Sequence, residues 1–114
     1  MLPDGLPTGD AVATTAGRLP ARWVIHTVGP VFSTTDDRSA VLASAYRRSL
    51  EVAVELGAAS VVFPAVSAGV YGWPLDSAAR IAIDAVRASP YTGAVSFALF
   101  SQPVLDAFER AVAA

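Results

Sequence analysis

No cysteine, lysine or asparagine occurs in the 114 residues, and there is a single histidine, His26. Without cysteine there is no disulfide framework, no thiolate zinc site and no thiol nucleophile. Without lysine there is no Walker-type phosphate lysine and no Schiff-base chemistry, since all eight basic residues are arginines. One histidine excludes a multi-histidine metal centre within one chain, and neither metal nor cofactor is expected. Charge is sparse too. Charged residues make up 16% of the chain, the net charge is −2, and no basic stripe runs along it, which argues against a nucleic-acid groove. No apolar run reaches the roughly 18 residues of a membrane span. Met1 to Gly5 has neither the basic nor the apolar region of a secretory signal. The expectation is a cytoplasmic protein with no membrane or nucleic-acid partner. Any phosphate it holds must be held mainly by backbone amides, with an arginine to help.

What is present is apolar: 54% of the residues are hydrophobic, enough for one well-buried domain over 1–114 and too many for disorder. Ala11 to Thr15 and Trp23 to Val28 read as strands separated by the turn-prone Gly17-Arg18-Leu19-Pro20, and Gly29-Pro30 ends the second. Ser33 to Asp37 is a cluster of helix N-caps. Leu42, Tyr46, Leu50 (or Ser49), Ala53 and Leu56 then recur at helical spacing, and Gly57 stands where a helix would stop. Ser60 to Val66 is almost continuously apolar, which predicts a strand covered on both faces, with Pro64 near its carboxyl end. A second helix opens at Pro74-Leu75-Asp76, buries Ala79, Ala82, Ile83 and Val86, and closes at Ser89-Pro90. Ala94 to Phe100 reads as a strand. Ser101 or Gln102 caps a last helix whose buried side is Leu105, Phe108 and Val112 (or Ala111). Helix, strand, helix, strand, helix implies an α/β fold with right-handed crossovers and a largely parallel sheet.

The segment Ser67-Ala68-Gly69-Val70-Tyr71-Gly72 lies between a buried strand and the next helix, where ligands of open α/β sheets collect. Two glycines three apart allow positive φ and close approach by a ligand. Successive amides, with the positive end of the following helix, can converge on an anion. Small Ser67 and Ala68 leave room, the Ser67 hydroxyl can add a hydrogen bond, and Tyr71 and Trp73 are placed to wall the site or cover a ribose. Spacing alone leaves two readings open, a diphosphate cradle and a tight turn whose glycines serve geometry only. Neither GxxxxGK[ST] nor GxGxxG is present.

The run His26-Thr27-Val28-Gly29-Pro30, followed by Phe63-Pro64-Ala65-Val66-Ser67-Ala68-Gly69-Val70-Tyr71-Gly72-Trp73-Pro74, resembles the macro domain family. Pro7-Thr8-Gly9-Asp10-Ala11 and Leu19-Pro20-Ala21-Arg22-Trp23-Val24-Ile25 fit the same pattern upstream, in order. The resemblance covers essentially the whole chain. It implies a three-layer α/β/α sandwich with a mixed, largely parallel sheet, and binding of ADP-ribose. Ser67, Ala68, Gly69, Val70, Tyr71 and Gly72 would wrap the diphosphate and distal ribose, and Phe100 would lie near the adenine or its ribose, the alternative being that Phe100 is plain core. Ala68 stands where many members have threonine, and Trp73 where tyrosine or phenylalanine is common.

The family pattern normally begins before the position of Met1. Two strands, an asparagine-rich motif and a glycine-rich loop with its aspartate and histidine have no counterpart here. The resemblance thus points to a lineage that hydrolyses ADP-ribosyl esters or O-acetyl-ADP-ribose, in a chain without the family's main catalytic groups. His26 reads as structural, and Asp10, Asp76 and Asp84 as caps or solvated helix positions, so no catalytic residue is assigned. Ligands implied are ADP-ribose, O-acetyl-ADP-ribose or ADP-ribosylated protein. The alternatives are a binding-only module and a non-functional fragment from a misplaced start or frameshift. In the family sheet a further strand lies between those matching residues 23–28 and 61–66. The expectation is therefore an N-terminally truncated domain that is unstable, forms homo-oligomers through its exposed sheet edges, or is completed by residues outside this sequence.

Overall fold

A computed structural model describes residues 5–68 and 71–114. The chain begins with an antiparallel pair, β1 (Ala11–Thr15) and β2 (Trp23–Thr27), in which Ala11 faces Thr27 and Thr15 faces Trp23. Thr14 Oγ1 lies 2.9 Å from His26 Nε2 on one face of the pair, so the lone histidine bridges neighbouring strands. The pair is fastened at its start. Gly9 N–H donates to Val28 O at 2.7 Å, and the Thr27 hydroxyl donates to Asp10 O at 2.6 Å.

Helix α1 (Ser39–Leu56) buries Leu42, Ala45, Tyr46, Ser49, Leu50 and Ala53, the face its spacing predicts. Complete burial of Leu42 and Leu50 contributes about 2 kcal/mol each. Its start differs from expectation. Ser33 Oγ accepts the amides of Thr35 and Asp36, and Asp37 Oδ1 accepts that of Ser39, so the cap-forming side chains close local turns. Arg38 occupies the N-cap position and makes no capping bond. The end matches: Gly57 takes φ 68°, and the amides of Gly57 and Ala58 return to Val54 O and Ala53 O.

A parallel pair follows, β3 (Ser60–Phe63) and β4 (Ala94–Phe97), with Val61 beside Val95 and Phe63 beside Phe97. Both strands are shorter than their apolar runs. The two strand pairs are not hydrogen-bonded to each other, so the sheet is mixed but in two pieces among the described residues. A cleft of about 1120 Å³ runs between β2 and β3. The hydrogen bonds of β3 explain where Pro64 sits. Ala59 O and Phe63 O accept from Ala94 N–H and Ala98 N–H, so alternate backbone groups, those of Ser60, Val62 and Pro64, point toward the cleft. The ladder donor that Pro64 lacks would have faced that unpaired side.

Helix α2 (Leu75–Ala88) buries Ala78, Ala79, Ala82 and Ile83. Helix α3 (Gln102–Ala113) is capped by the Ser101 hydroxyl, which accepts Val104 N–H at 3.4 Å. Its buried side keeps Phe108 and the alternative Ala111 of the expected face but not Leu105 or Val112. Val104, Ala107, Phe108 and Ala111 pack on the core, while Leu105 and Val112 are exposed. Both stripes are apolar at helical spacing, and docking against α2 selects the first. The expectation of a strand buried on both faces also fails for β3. Val61 and Phe63 meet the core, but Ser60 and Val62, with Ala94 and Ser96 beside them, are exposed. Its apolar composition does not require two covered faces, because no described helix lies over that side.

The core centres on an aromatic column. Tyr46 of α1 meets Phe63 edge-on at 5.0 Å, Phe63 stacks on Phe97 at 5.7 Å, and Phe97 meets Phe108 of α3 at 4.9 Å. Tyr46 is fully buried, which pushes its phenol up to about 12, and its hydroxyl oxygen accepts Val66 N–H at 2.9 Å.

A charge cluster joins α1 to the start of β1. Arg48 bonds Asp10 Oδ1 at 3.1 Å and also Glu51, and Arg47 bonds Glu51 at 2.9 Å. The Ala11 amide, then Arg48, holds the Asp10 carboxyl below the usual range, and Arg48 with Arg47 does the same for Glu51. A carboxylate with a lowered folded pKa stabilises the fold above its unfolded pKa and loses that contribution as pH falls through the folded value. The thermal midpoint should therefore be level from neutrality to about pH 5 and fall below about pH 4. Arg48→Met should reduce that acid-side fall, and an identical profile in scanning calorimetry would exclude the cluster as its source.

Candidate functional site

Residues 64–74 run from the carboxyl end of β3 to the start of α2. Of the residues predicted to hold a ligand, Gly69 and Val70 lie outside the described residues, and Ser67, Ala68, Tyr71, Gly72 and Phe100 lie within them.

Ser67 is the unexpected member. It takes φ 64°, the only positive value at a described residue other than glycine, and its side chain is buried. The left-handed conformation costs a residue with a β-carbon roughly 1–2 kcal/mol. Its Oγ has no hydrogen-bond partner among the described residues, and an unpaired buried hydroxyl adds roughly 1–3 kcal/mol. A residue strained twice over is the kind that concentrates at ligand sites. Serine's small size suggested only room and an added hydrogen bond, and nothing in the sequence signalled this backbone. Gly72 takes φ 76°, as a glycine in this turn was expected to. Ala68 N–H closes a turn on Ala65 O at 3.3 Å.

The flanking aromatics separate. Tyr71 is partly exposed and borders both the 1120 Å³ cleft and a second one of about 480 Å³. Trp73, expected as a wall of the site, is buried instead, with its indole N–H donating to Pro30 O at 2.9 Å and its ring meeting Phe32 edge-on at 5.4 Å. Phe100, three residues past β4, is 91% exposed, which removes the alternative that it is core. Its ring offers a flat apolar face at the same strand ends as the loop.

Arginine is the only basic side chain available to an anion. Arg38 lines the smaller cleft with Thr8, Gly29, Pro30 and Tyr71, and its Nη1 donates to Val31 O at 3.0 Å. Sequence reasoning left this arginine unassigned, because only folding brings it beside Tyr71. Asp36 Oδ2 lies 3.6 Å from Arg38 Nη2, while Asp10 is engaged by Arg48 and the Ala11 amide and Asp76 by Arg110 at 2.8 Å. Asp84 is exposed on α2. No group of three or more histidine, aspartate or glutamate side chains suited to a metal occurs among the described residues.

Residues 2–82 match the family described as Macro domain. A macro domain-containing protein of Streptomyces griseus is 59% identical over 111 residues, which is 96% of this chain and 63% of that protein. A protein of Enterobacter cloacae named O-acetyl-ADP-ribose deacetylase is 42% identical over 109 residues, covering 91% of this chain and 61% of its own. Among solved structures, the Oceanobacillus iheyensis macrodomain with ADP superposes with a TM-score of 0.86 at 35% identity, over 95% of this chain and 59% of that one. The Trypanosoma brucei macrodomain in complex with ADP-ribose gives 0.81 at 36% identity, over 93% and 46%. The chain spans about 60% of the length of the curated relatives it matches.

Ser67→Gly removes both the strain and the unpaired hydroxyl. It should raise the stability of the ligand-free chain by about 1 kcal/mol in chemical denaturation. A lower denaturation midpoint would show that the serine is instead satisfied and well placed.

Proposed function

The chain belongs to the macro domain family, and we propose that it binds ADP-ribose or O-acetyl-ADP-ribose by the diphosphate at residues 67–72. The observation that carries this is Ser67, four residues past the carboxyl end of β3, left-handed and buried with a hydroxyl that no described residue pairs. That hydroxyl is a donor for a phosphate oxygen, and the turn it opens leads into the amino terminus of α2, whose dipole favours an anion. Phe100 supplies a face on which an adenine can stack. Both solved relatives named above hold ligands with an adenosine diphosphate group.

Hydrolysis of the acetyl ester is the finer proposal, and it rests on the name of the Enterobacter relative alone. Asp10 and His26, held by Arg48 and Thr14, favour binding over turnover by the described residues. An ADP-ribosylated protein is a further ligand of the same chemistry. The unpaired edges of β2 and β3 are proposed to take a further strand, from a second copy or from additional chain. A monodisperse, cooperatively unfolding monomer in sedimentation would sink that part.

Isothermal titration with ADP-ribose tests the binding, and no heat at millimolar ligand would refute it. Phe100→Ala should weaken binding about tenfold, in line with the value of one base–aromatic stack. Because Phe100 is exposed, its removal should change stability by less than about 0.5 kcal/mol. Unchanged affinity would take adenine off this ring.

A further inference from the structure

The loop is held by a segment to which the proposed binding gives no role. Residues 29–32 follow β2, far from the loop in sequence, and meet it and its flanks at Val66, Ser67, Tyr71 and Trp73. A β-carbon placed on Gly29 would stand 2.1 Å from Ser67 Oγ and 2.7 Å from Val66 Cγ1. Both contacts are too short for a real β-carbon, so another residue at position 29 would displace the Ser67 hydroxyl and the Val66 side chain. Pro30 O accepts the Trp73 indole N–H at 2.9 Å. Phe32 N–H donates to Tyr71 O at 2.9 Å, and the Phe32 ring packs edge-on against Trp73.

We infer that residues 29–32 act as a splint that fixes the two flanks of the loop, at Ser67 and at Tyr71–Trp73, with Gly29 the positioning residue for left-handed Ser67. A strained residue persists only where its surroundings over-determine it, and no described residue hydrogen-bonds the Ser67 side chain. The room its hydroxyl occupies exists because position 29 carries no β-carbon. The contacts at Ser67, Tyr71 and Trp73 fall on both sides of residues 68–70. An anion site made of amides needs that fixing in advance, because ordering the loop on binding would cost affinity. Gly29-Pro30 thus has a second role beyond ending β2.

Only the affinity arm of the test rests on the ADP-ribose reading. In the full chain, Gly29→Ala should shift the amide resonances of Ala68, Tyr71 and Gly72 and weaken ADP-ribose binding about tenfold, the scale of one overpacked contact. Ser67→Gly with Val66→Ala deletes both atoms that the new methyl group would meet. Adding Gly29→Ala to that pair should therefore change affinity less than about twofold and leave the loop resonances in place. If Gly29→Ala alone fails to fold, the same two substitutions should restore folding. Unmoved loop resonances in Gly29→Ala, an equal loss in both backgrounds, or a triple variant that also fails to fold would each overturn the inference. If the unsubstituted chain shows no heat with ADP-ribose, the binding proposal falls, and the resonance and rescue arms still decide this one.

Discussion

One hydrogen bond joins the hydrophobic core to the functional end of the molecule: the Tyr46 hydroxyl accepts the amide of Val66 at 2.9 Å. Everything below that bond is packing. The ring of Tyr46 belongs to the column through Phe63, Phe97 and Phe108 that ties α1 to β3, β4 and α3. Everything above it is loop. The bond sits one residue before Ser67, so the rigidity of a fully buried helix residue passes directly into the backbone where strain is stored. The neutral form of a phenol pushed up to about 12 keeps its hydroxyl proton across the physiological range, so the anchor carries no charge at working pH.

The loop is gripped from two directions that sequence order keeps far apart. Tyr46 holds its beginning from α1, and residues 29–32 hold its two sides from the end of β2. The Asp10–Arg48–Glu51 cluster and the bond from the Ser44 hydroxyl to Gly9 O fasten α1 to the start of β1. The same helix thus positions both the loop and the strand pair from which the splint emerges. Macro domain relatives share this arrangement at the level of fold, with TM-scores above 0.8 at about one-third identity.

Local features were legible in the sequence and contacts between distant segments were not. Leu42, Tyr46, Leu50 and Ala53 gave the buried face of α1, and Gly57 its end, because helical periodicity and a left-handed cap are written over a few residues. The caps at Ser33 to Asp37 were misplaced because such side chains close local turns as readily as they cap helices. The face of α3 was misjudged at Leu105 and Val112 because two apolar stripes overlap, and the choice between them is made by α2. At the site, the position of the loop could be read from its place after an apolar strand. The backbone of Ser67, the burial of Trp73 and the role of Gly29 depend on residues about 40 positions apart, as with Trp73 and Pro30. No window along the chain contains them.

The two tryptophans occupy opposite environments. Trp23 is half-buried on β2 with the Arg22 guanidinium 4.6 Å over its ring, whereas Trp73 is buried directly beneath the loop. A charged collisional quencher therefore reaches the first indole and leaves the second, so the residual emission belongs to Trp73. Its wavelength depends on the bond to Pro30 and on the edge of Phe32, the same contacts that brace the loop. The molecule carries its own optical gauge of loop geometry, in place without any label.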